Sequence, residues 1–351
     1  MHIGAILTVP TGIRLQHVVS NGNGHASGLS FPSTAPMAHW EILGKSVLDR
    51  LRERLQALGV SEIAVIGEQN AGEDQPGSQG AVFWTEWNAV ISRYVQFDLA
   101  TLLLVRVGPY MELDIADFLR FHRETSSAMT QVYDAEGALD VVAIDGKWLA
   151  EGTGTFRSRL QTLIPKHKRF LFRGYCNRLA DVRDFHGLVT DALLGRAAIR
   201  PLGHEIRANV WLGENARIDE SARIVAPAYI GRNSRVNGDC LISGACAVEQ
   251  GSEIGFGTTL DNSCVLPTTY VGPGLRVCGG VVYQQTLFHL ARNVQLQFHD
   301  RRLLEKAFPP GAFCPTAAPH GTHQARSRCS KSRPSSPRTF AFLCDLDHTS
   351  L

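Results

Sequence analysis

The sequence predicts an α/β region followed by a parallel β-helix, and two observations carry that prediction. From Ile206 to Leu266 an aliphatic residue recurs at every sixth position: Ile206, Leu212, Ile218, Ile224, Ile230, Val236, Ile242, Val248, Ile254, Leu260 and Leu266. A second series runs in phase four residues later through Ala216, Ala222, Ala228, Ser234, Cys240, Cys246, Ser252, Thr258 and Cys264, and every member is small. Upstream, an apolar run at residues 3–9, an amphipathic stretch at Gly44–Gly59 and a second apolar run at Glu62–Gly67 read as strand, helix and strand, the opening of a parallel sheet.

A period of six matches neither the 3.6 of a helix nor the 2 of a strand. It matches a solenoid of triangular cross-section with a short strand on each side. Eighteen residues then complete one coil, and coils stack about 4.8 Å apart. Large aliphatics fill the interior and small residues turn the corners. Gly213, Gly231 and Gly255 directly follow inward residues, where a bend asks for permissive backbone.

Length and composition bound the rest. At 351 residues, 44% hydrophobic and 19% charged, the chain can bury a sizeable core and is expected to hold two folded domains. A net charge of +2 argues against a nucleic-acid or membrane surface. No apolar run reaches the roughly 18 residues that span a bilayer, and Met1–Pro10 does not read as a signal peptide. A cytoplasmic protein is the expectation. Eight cysteines include no C-x-x-C pair. Cys240, Cys246 and Cys264 fall on corner positions, where a small, slightly apolar side chain suffices. Cys246 and Cys264, eighteen apart, are expected to stack on adjacent coils as reduced thiols.

Further along the N-terminal half, residues 20–36 read as a loop and residues 68–79 as a polar loop, with a helix around Thr85–Tyr94. A buried strand at Thr101–Val107, a helix from Asp114, strands at Met129–Tyr133 and Leu139–Ile144, a helix at Thr155–Leu163, a strand at Arg169–Arg173 and a helix at Ala180–Leu194 follow. After Leu266 the next aliphatic, Val271, comes one residue early, and Val277 and Val282 can close one more irregular coil. Residues 293–298 alternate as a capping strand. From Phe308 the chain turns to Pro, Ser, Arg and His and reads as a disordered tail. Its Asp345-x-Asp347-x-Thr349 matches a phosphatase nucleophile motif but has no α/β domain after it, and reads as chance.

The coil resembles the hexapeptide-repeat, left-handed β-helix family; its hand is implied by that resemblance alone. The N-terminal half resembles the nucleotide-sugar pyrophosphorylases, or sugar-phosphate nucleotidyltransferases. Three segments carry the likeness: Gly44-Lys45 through Gly59-Val60-Ser61-Glu62-Ile63, Asp114 through His122, and Gly174-Tyr175 through Asp184-Phe185. The resemblance covers about residues 1–285. It implies a Rossmann-like nucleotidyltransferase domain over 1–200, a β-helix over 203–285, a capping segment over 286–307 and a tail over 308–351. It also implies attack of a sugar-1-phosphate on a nucleoside triphosphate at Mg²⁺, and association through the β-helix, with copies of itself or with an active paralogue.

The apparatus for that chemistry departs from the family pattern at four places. Leu7-Thr8-Val9-Pro10-Thr11-Gly12-Ile13-Arg14-Leu15 stands where the family has L-A-G-G-x-G-T-R-L. Leu7, Gly12 and Arg14 are retained as candidate nucleotide-binding residues, but Pro10 has no N–H to give a phosphate. No lysine occurs before Lys45, although the family places one near Ala35 or Met37. Gly108-Pro109 replaces the first metal-binding Gly-Asp, and Arg178-Leu179-Ala180 replaces the second acidic triplet.

Arg14, Glu112 and Asp114 are the remaining catalytic candidates, with the two acids as substitute Mg²⁺ ligands; a helix N-terminal acid and a solvated edge residue are their plainer readings. No metal site is expected otherwise. Acyl transfer, the other activity of such coils, uses a histidine base, and none occurs between His204 and His289. Glu249 and Asp261 alone do not make an acid/base pair. Arg50, Arg52 and Arg54 read as a solvated helix face, Trp84 and Trp87 as core, and Lys166, Lys168 and Arg169 as a solvated basic group. The expected function is therefore a catalytically impaired relative that binds a nucleoside triphosphate or nucleotide-sugar or regulates a paralogue. The alternatives are an active enzyme with relocated ligands, an acyltransferase-like coil and a structural oligomeriser.

Overall fold

Strand β1 (Ile3–Pro10) is apolar on both sides because it is buried on both sides. Ala5, Leu7 and Val9 point into one core and Ile6 into another. The computed structural model describes residues 2–10, 40–60, 62–68, 79–151 and 154–307. The loop expected at 20–36, Gly12, Arg14 and the tail lie outside these.

After β1 the described chain resumes with a two-residue hairpin, β2 (Glu41–Ile42) and β3 (Lys45–Ser46), whose turn residues Leu43 and Gly44 both have positive φ. That turn needs a glycine at its second position, and it takes Gly44 and Lys45 out of the expected helix. Helix α1 (Val47–Ala57) starts instead at Ser46, whose Oγ accepts Asp49 N at 3.1 Å, and ends at the left-handed Gly59.

Strand β4 (Glu62–Glu68) follows, then α2 (Gln79–Gln96), which is longer than expected, and β5 (Thr101–Arg106). Next come β6 (Tyr110–Met111), α3 (Ile115–Glu124), β7 (Met129–Tyr133) and β8 (Ala138–Asp145). Helix α4 (Gly146–Glu151) was not foreseen; it is six residues long and is started by Asp145, which accepts Lys147 N and Trp148 N. Helix α5 (Phe156–Leu163), β9 (Lys168–Leu171), β10 (Cys176–Asn177) and α6 (Val182–Leu193) complete this region.

The strands form a mixed sheet in the order β4-β1-β5-β8-β7-β9. β1 runs parallel to β4 and β5, while β8 is antiparallel to β5 and β7. Helices α1, α3 and α6 cover the face of Leu7 and Leu103; α2, α4 and α5 cover the face of Ile6 and Leu102. Trp87 is core, stacked on Phe156; the Trp84 side chain lies outside the described residues.

Beyond the link, three sheets of short parallel strands advance together. Val210–Leu212, Ala228–Ile230, Cys246–Val248, Cys264–Val265 and Gly280–Tyr283 make one face. Strands starting at Arg217, Arg235, Glu253 and Thr269 make the second, and those starting at Arg223, Leu241, Thr259 and Arg276 the third. Register partners such as Ile230↔Val248 and Ile242↔Leu260 are eighteen residues apart, as the period requires.

The period differs from the expectation at both ends. Ile206 is 47% exposed on His204–Arg207, a strand antiparallel to Val210–Leu212, and is not an inward residue. At the other end Val248 pairs with Val265, seventeen residues on, so one residue is lost before Leu266 rather than after it. Val265 is inward. Leu266 is equally buried but faces outward, in the core shared with the α/β sheet. Cys264 consequently pairs with Ala247 and leaves the corner series, and Ser263 replaces it: Ser263 N donates to Cys246 Sγ. Both cysteines are free thiols.

Two kinds of residue turn the corners. Small polar residues bridge successive coils: Ser252 Oγ donates to Leu266 O at 2.9 Å and accepts Thr269 N at 3.2 Å, while Ser252 N reaches Ser234 Oγ at 3.4 Å. Residues of positive φ recur beside them, as in Asn215, Asn233, Gly251 and Thr268. Gly231 and Gly255 serve a different purpose from the one expected. Neither has a positive φ; a Cβ on either would lie within 2.7 Å of the next coil's backbone.

Val277 and Val282 do close an irregular last coil, and Val294–Gln297 caps it by pairing with Thr286–His289. Residues Met1–Ala307 form one compact unit that ends where the composition changes.

Candidate functional site

In an open α/β sheet the crevice for ligands lies outside the carboxyl ends of strands whose connections leave to opposite faces. Here α1 follows β1 onto one face and α2 follows β4 onto the other. The described wall of that crevice is the end of β1, the end of β4 and the segment Arg106–Pro109 after β5. Leu7 is fully buried beneath it, so its part is to anchor β1 in the core.

The two segments aligned with the metal-binding positions come together. β6 and β10 pair antiparallel, Tyr110 opposite Asn177 and Met111 opposite Cys176. Pro109 thus lies one residue before this ladder and Arg178 one residue after it. Arg178 Nη2 lies 2.7 and 2.6 Å from the two carboxylate oxygens of Asp134, and its Nε lies 3.3 Å from Glu136. Pro109 lines a slot of about 50 Å³ whose walls include Val47, Leu51, Leu103 and Val105. One water needs about 10–15 Å³ by the same kind of measure, so the slot holds a few waters at most.

The two candidate acids already have structural partners. Asp114 caps α3, its Oδ1 accepting Asp117 N at 3.0 Å. Glu112 Oε1 accepts Ala198 N and lies 3.5 Å from the Tyr110 hydroxyl, tying the link region to β6. Among the described residues, no three His, Cys, Asp or Glu side chains gather as a metal-holding group.

Arg50 and Arg54 correct the reading of a solvated helix face, which holds only for the exposed Arg52. Arg54 donates to the carbonyls of Met111 and Leu113, and so fastens β6 to α1. Arg50 donates to Ile42 O at 2.7 Å, and burial pulls its pKa down.

Sequence reasoning missed a second polar cluster, on the face where the coil meets the sheet. Glu249 is fully buried there and accepts Leu43 N at 2.7 Å and Gly44 N at 3.0 Å, the two amides of the β2–β3 turn. Burial pushes its carboxyl up to about 8, opposed by those two amides. Glu41 lies beside it, accepting from Gln250 Nε2, and burial raises its carboxyl to about 7. One signal existed: successive coils put Gly213, Gly231, Glu249 and Leu266 in one column, where an acid is out of character.

Among the described residues no helix is long and apolar enough to cross a membrane. The chain matches no family model and no curated protein.

Proposed function

We propose that this chain is a nucleotide-sugar pyrophosphorylase-like protein in which a Rossmann-like layer and a left-handed β-helix are kept and nucleotidyl transfer is not. Its role is to bind a nucleoside triphosphate or nucleotide-sugar in the crevice at the ends of β1 and β5, in the cytoplasm, and to act on an active paralogue or on its own copies through the coil. The observation that carries the reading is the β6–β10 ladder. It holds side by side the two segments that the resemblance assigns to Mg²⁺, and what they offer is Pro109 and an arginine already paired with Asp134.

Magnesium takes carboxylate, phosphate and water oxygens. A proline ring offers no ligand, and a guanidinium repels the ion. The described residues therefore do not fit it. What remains suits binding without turnover: a parallel-sheet edge and the partly exposed Arg106, which shares its charge with Asp140 at 3.5 Å.

A thermal-shift screen of the full chain against nucleoside triphosphates and nucleotide-sugars, in EDTA and in Mg²⁺, tests this. The expected result is a saturable rise in melting temperature that is the same in both, with no pyrophosphate released from any sugar-1-phosphate. Turnover in Mg²⁺ overturns the reading, and so does the absence of any shift. If turnover is seen, Asp114→Asn separates the alternative with relocated ligands: it abolishes activity only if Asp114 holds the metal.

A further inference from the structure

At one side the six-stranded sheet ends in β9, whose outer edge has no strand beside it among the described residues. Phe172 N donates to Tyr133 O at 2.7 Å, which sets the alternation along this strand. Lys168 and Phe170 direct their backbone groups to β7, whereas Arg169 and Leu171 direct N–H and C=O outward. An edge of this kind is a template for another strand.

Three features set this edge apart from an ordinary blunted one. It carries uncovered apolar surface, with Leu171 65% and Ile164 52% exposed. It is rigid: the Tyr133 hydroxyl lies 2.8 Å from His167 Nε2, the two rings stack, and the Arg169 guanidinium lies over the Tyr133 ring at 4.9 Å. It is strongly cationic, with Lys166, Lys168, Arg169 and Arg173 all exposed, while the nearby Asp134 and Glu136 are already engaged by Arg178. An open groove of about 540 Å³ continues past Leu171 along Phe172, Arg173 and Gly174 to Cys176.

Charge decides what fits. A second copy of the same edge would bring lysine and arginine against lysine and arginine, which opposes self-pairing. An acidic strand meets no such barrier, and its carboxylates gain partners that ordinary solvation does not supply. We propose that β9 is a docking edge for an extended acidic segment of a partner protein. The segment adds as a seventh strand, laying an apolar side chain over Leu171 and carboxylates beside Lys168, Arg169 and Arg173. This surface is independent of the crevice, and the proposal stands whether or not nucleotide binds there.

The probe is a fluorescein-labelled heptapeptide alternating Glu with Val, titrated with the full chain and followed by anisotropy. Two controls accompany it: the same composition with a central proline, and a Lys/Val counterpart. Saturable binding is expected for the first peptide alone, weakening as salt is raised. Hydrogen exchange is expected to slow at the amides of Arg169 and Leu171. Lys168→Glu, a surface change that leaves the fold intact, is expected to weaken binding about tenfold, close to 1.4 kcal/mol. Leu171→Pro removes an outward donor and is expected to abolish it, with circular dichroism checking the fold. Equal binding of the proline peptide, an unchanged affinity in Lys168→Glu, no saturation, or a dimer formed through this edge in sedimentation each overturns the proposal.

Discussion

The coil has one interior and three exteriors, and the contrast between them is instructive. Tyr229, Ala247, Cys264 and Val281 project outward from its first face, and all four are buried, in the core that also holds Leu7, Val47 and Phe185. Arg217, Arg235 and Arg223 project outward from the other two and are exposed. Inward residues are the same aliphatic kind on every side. The repeat therefore specifies the coil from within, and only the outward column distinguishes a face that joins the sheet from a face that meets water.

The sharpest way to break that contrast is to truncate one outward residue on each kind of face. Tyr229→Ala is expected to cost about 3–5 kcal/mol, because a large buried ring is lost from a shared core. Arg217→Ala is expected to stay within about 0.5 kcal/mol. Urea denaturation of the two variants measures the difference, and near-equal costs would mean that the first face is no more coupled to the sheet than the second.

Next in size is the buried acid on that face. Glu249→Ala leaves two turn amides without an acceptor and is expected to cost about 2 kcal/mol. The pH dependence has a definite sign. Glu249 and Glu41 have folded-state values of about 8 and about 7 against an ordinary 4.5, so the native state holds protons that the unfolded chain has released. Stability from these groups is greatest at acid pH, declines as pH rises through about 5 to about 8, and levels off above that. Glu249→Gln is expected to flatten the upper part of the decline, leaving what Glu41 contributes. Urea midpoints taken across the window test this; a slope unchanged in the variant rules it out.

Smaller effects sharpen the picture of the corners. Ser252→Ala removes a hydroxyl that donates to one coil and accepts from another, for about 1 kcal/mol. Thr268 is a β-branched residue at φ 54° in a column otherwise filled by Asn215, Asn233 and Gly251. Thr268→Asn is expected to raise the melting temperature by about 2 °C, in line with relief of left-handed strain.

Much of this architecture was legible in the residues. The six-residue period located the coil, its inward set from Leu212 to Leu260, and most of its corner residues, because a solenoid repeats one local environment. Strands β1, β4 and β5 were legible as apolar runs, since burial on both faces leaves nothing else. Arg50 and Arg54 were not legible, because their partners are main-chain carbonyls, which have no sequence signature. The role of Glu249 was hidden for a related reason: its ligands are the amides of a turn two hundred residues away. Of the site candidates, Glu112 and Asp114 could be found as acids near the right strand, but only their contacts reveal that one caps a helix and the other ties down a link.

The missing residue between Val248 and Val265 reaches further than its size suggests. In a chain that repeats, dropping one position shifts the phase of everything after it, as a skipped tooth does in a gear train. Leu266 thereby changed sides, from filler of its own spiral to adhesive for a neighbour, with no change of amino acid. Single deletions in such arrays are thus a route to new surfaces that leaves the interior supplied, because the preceding valine steps into the vacated place.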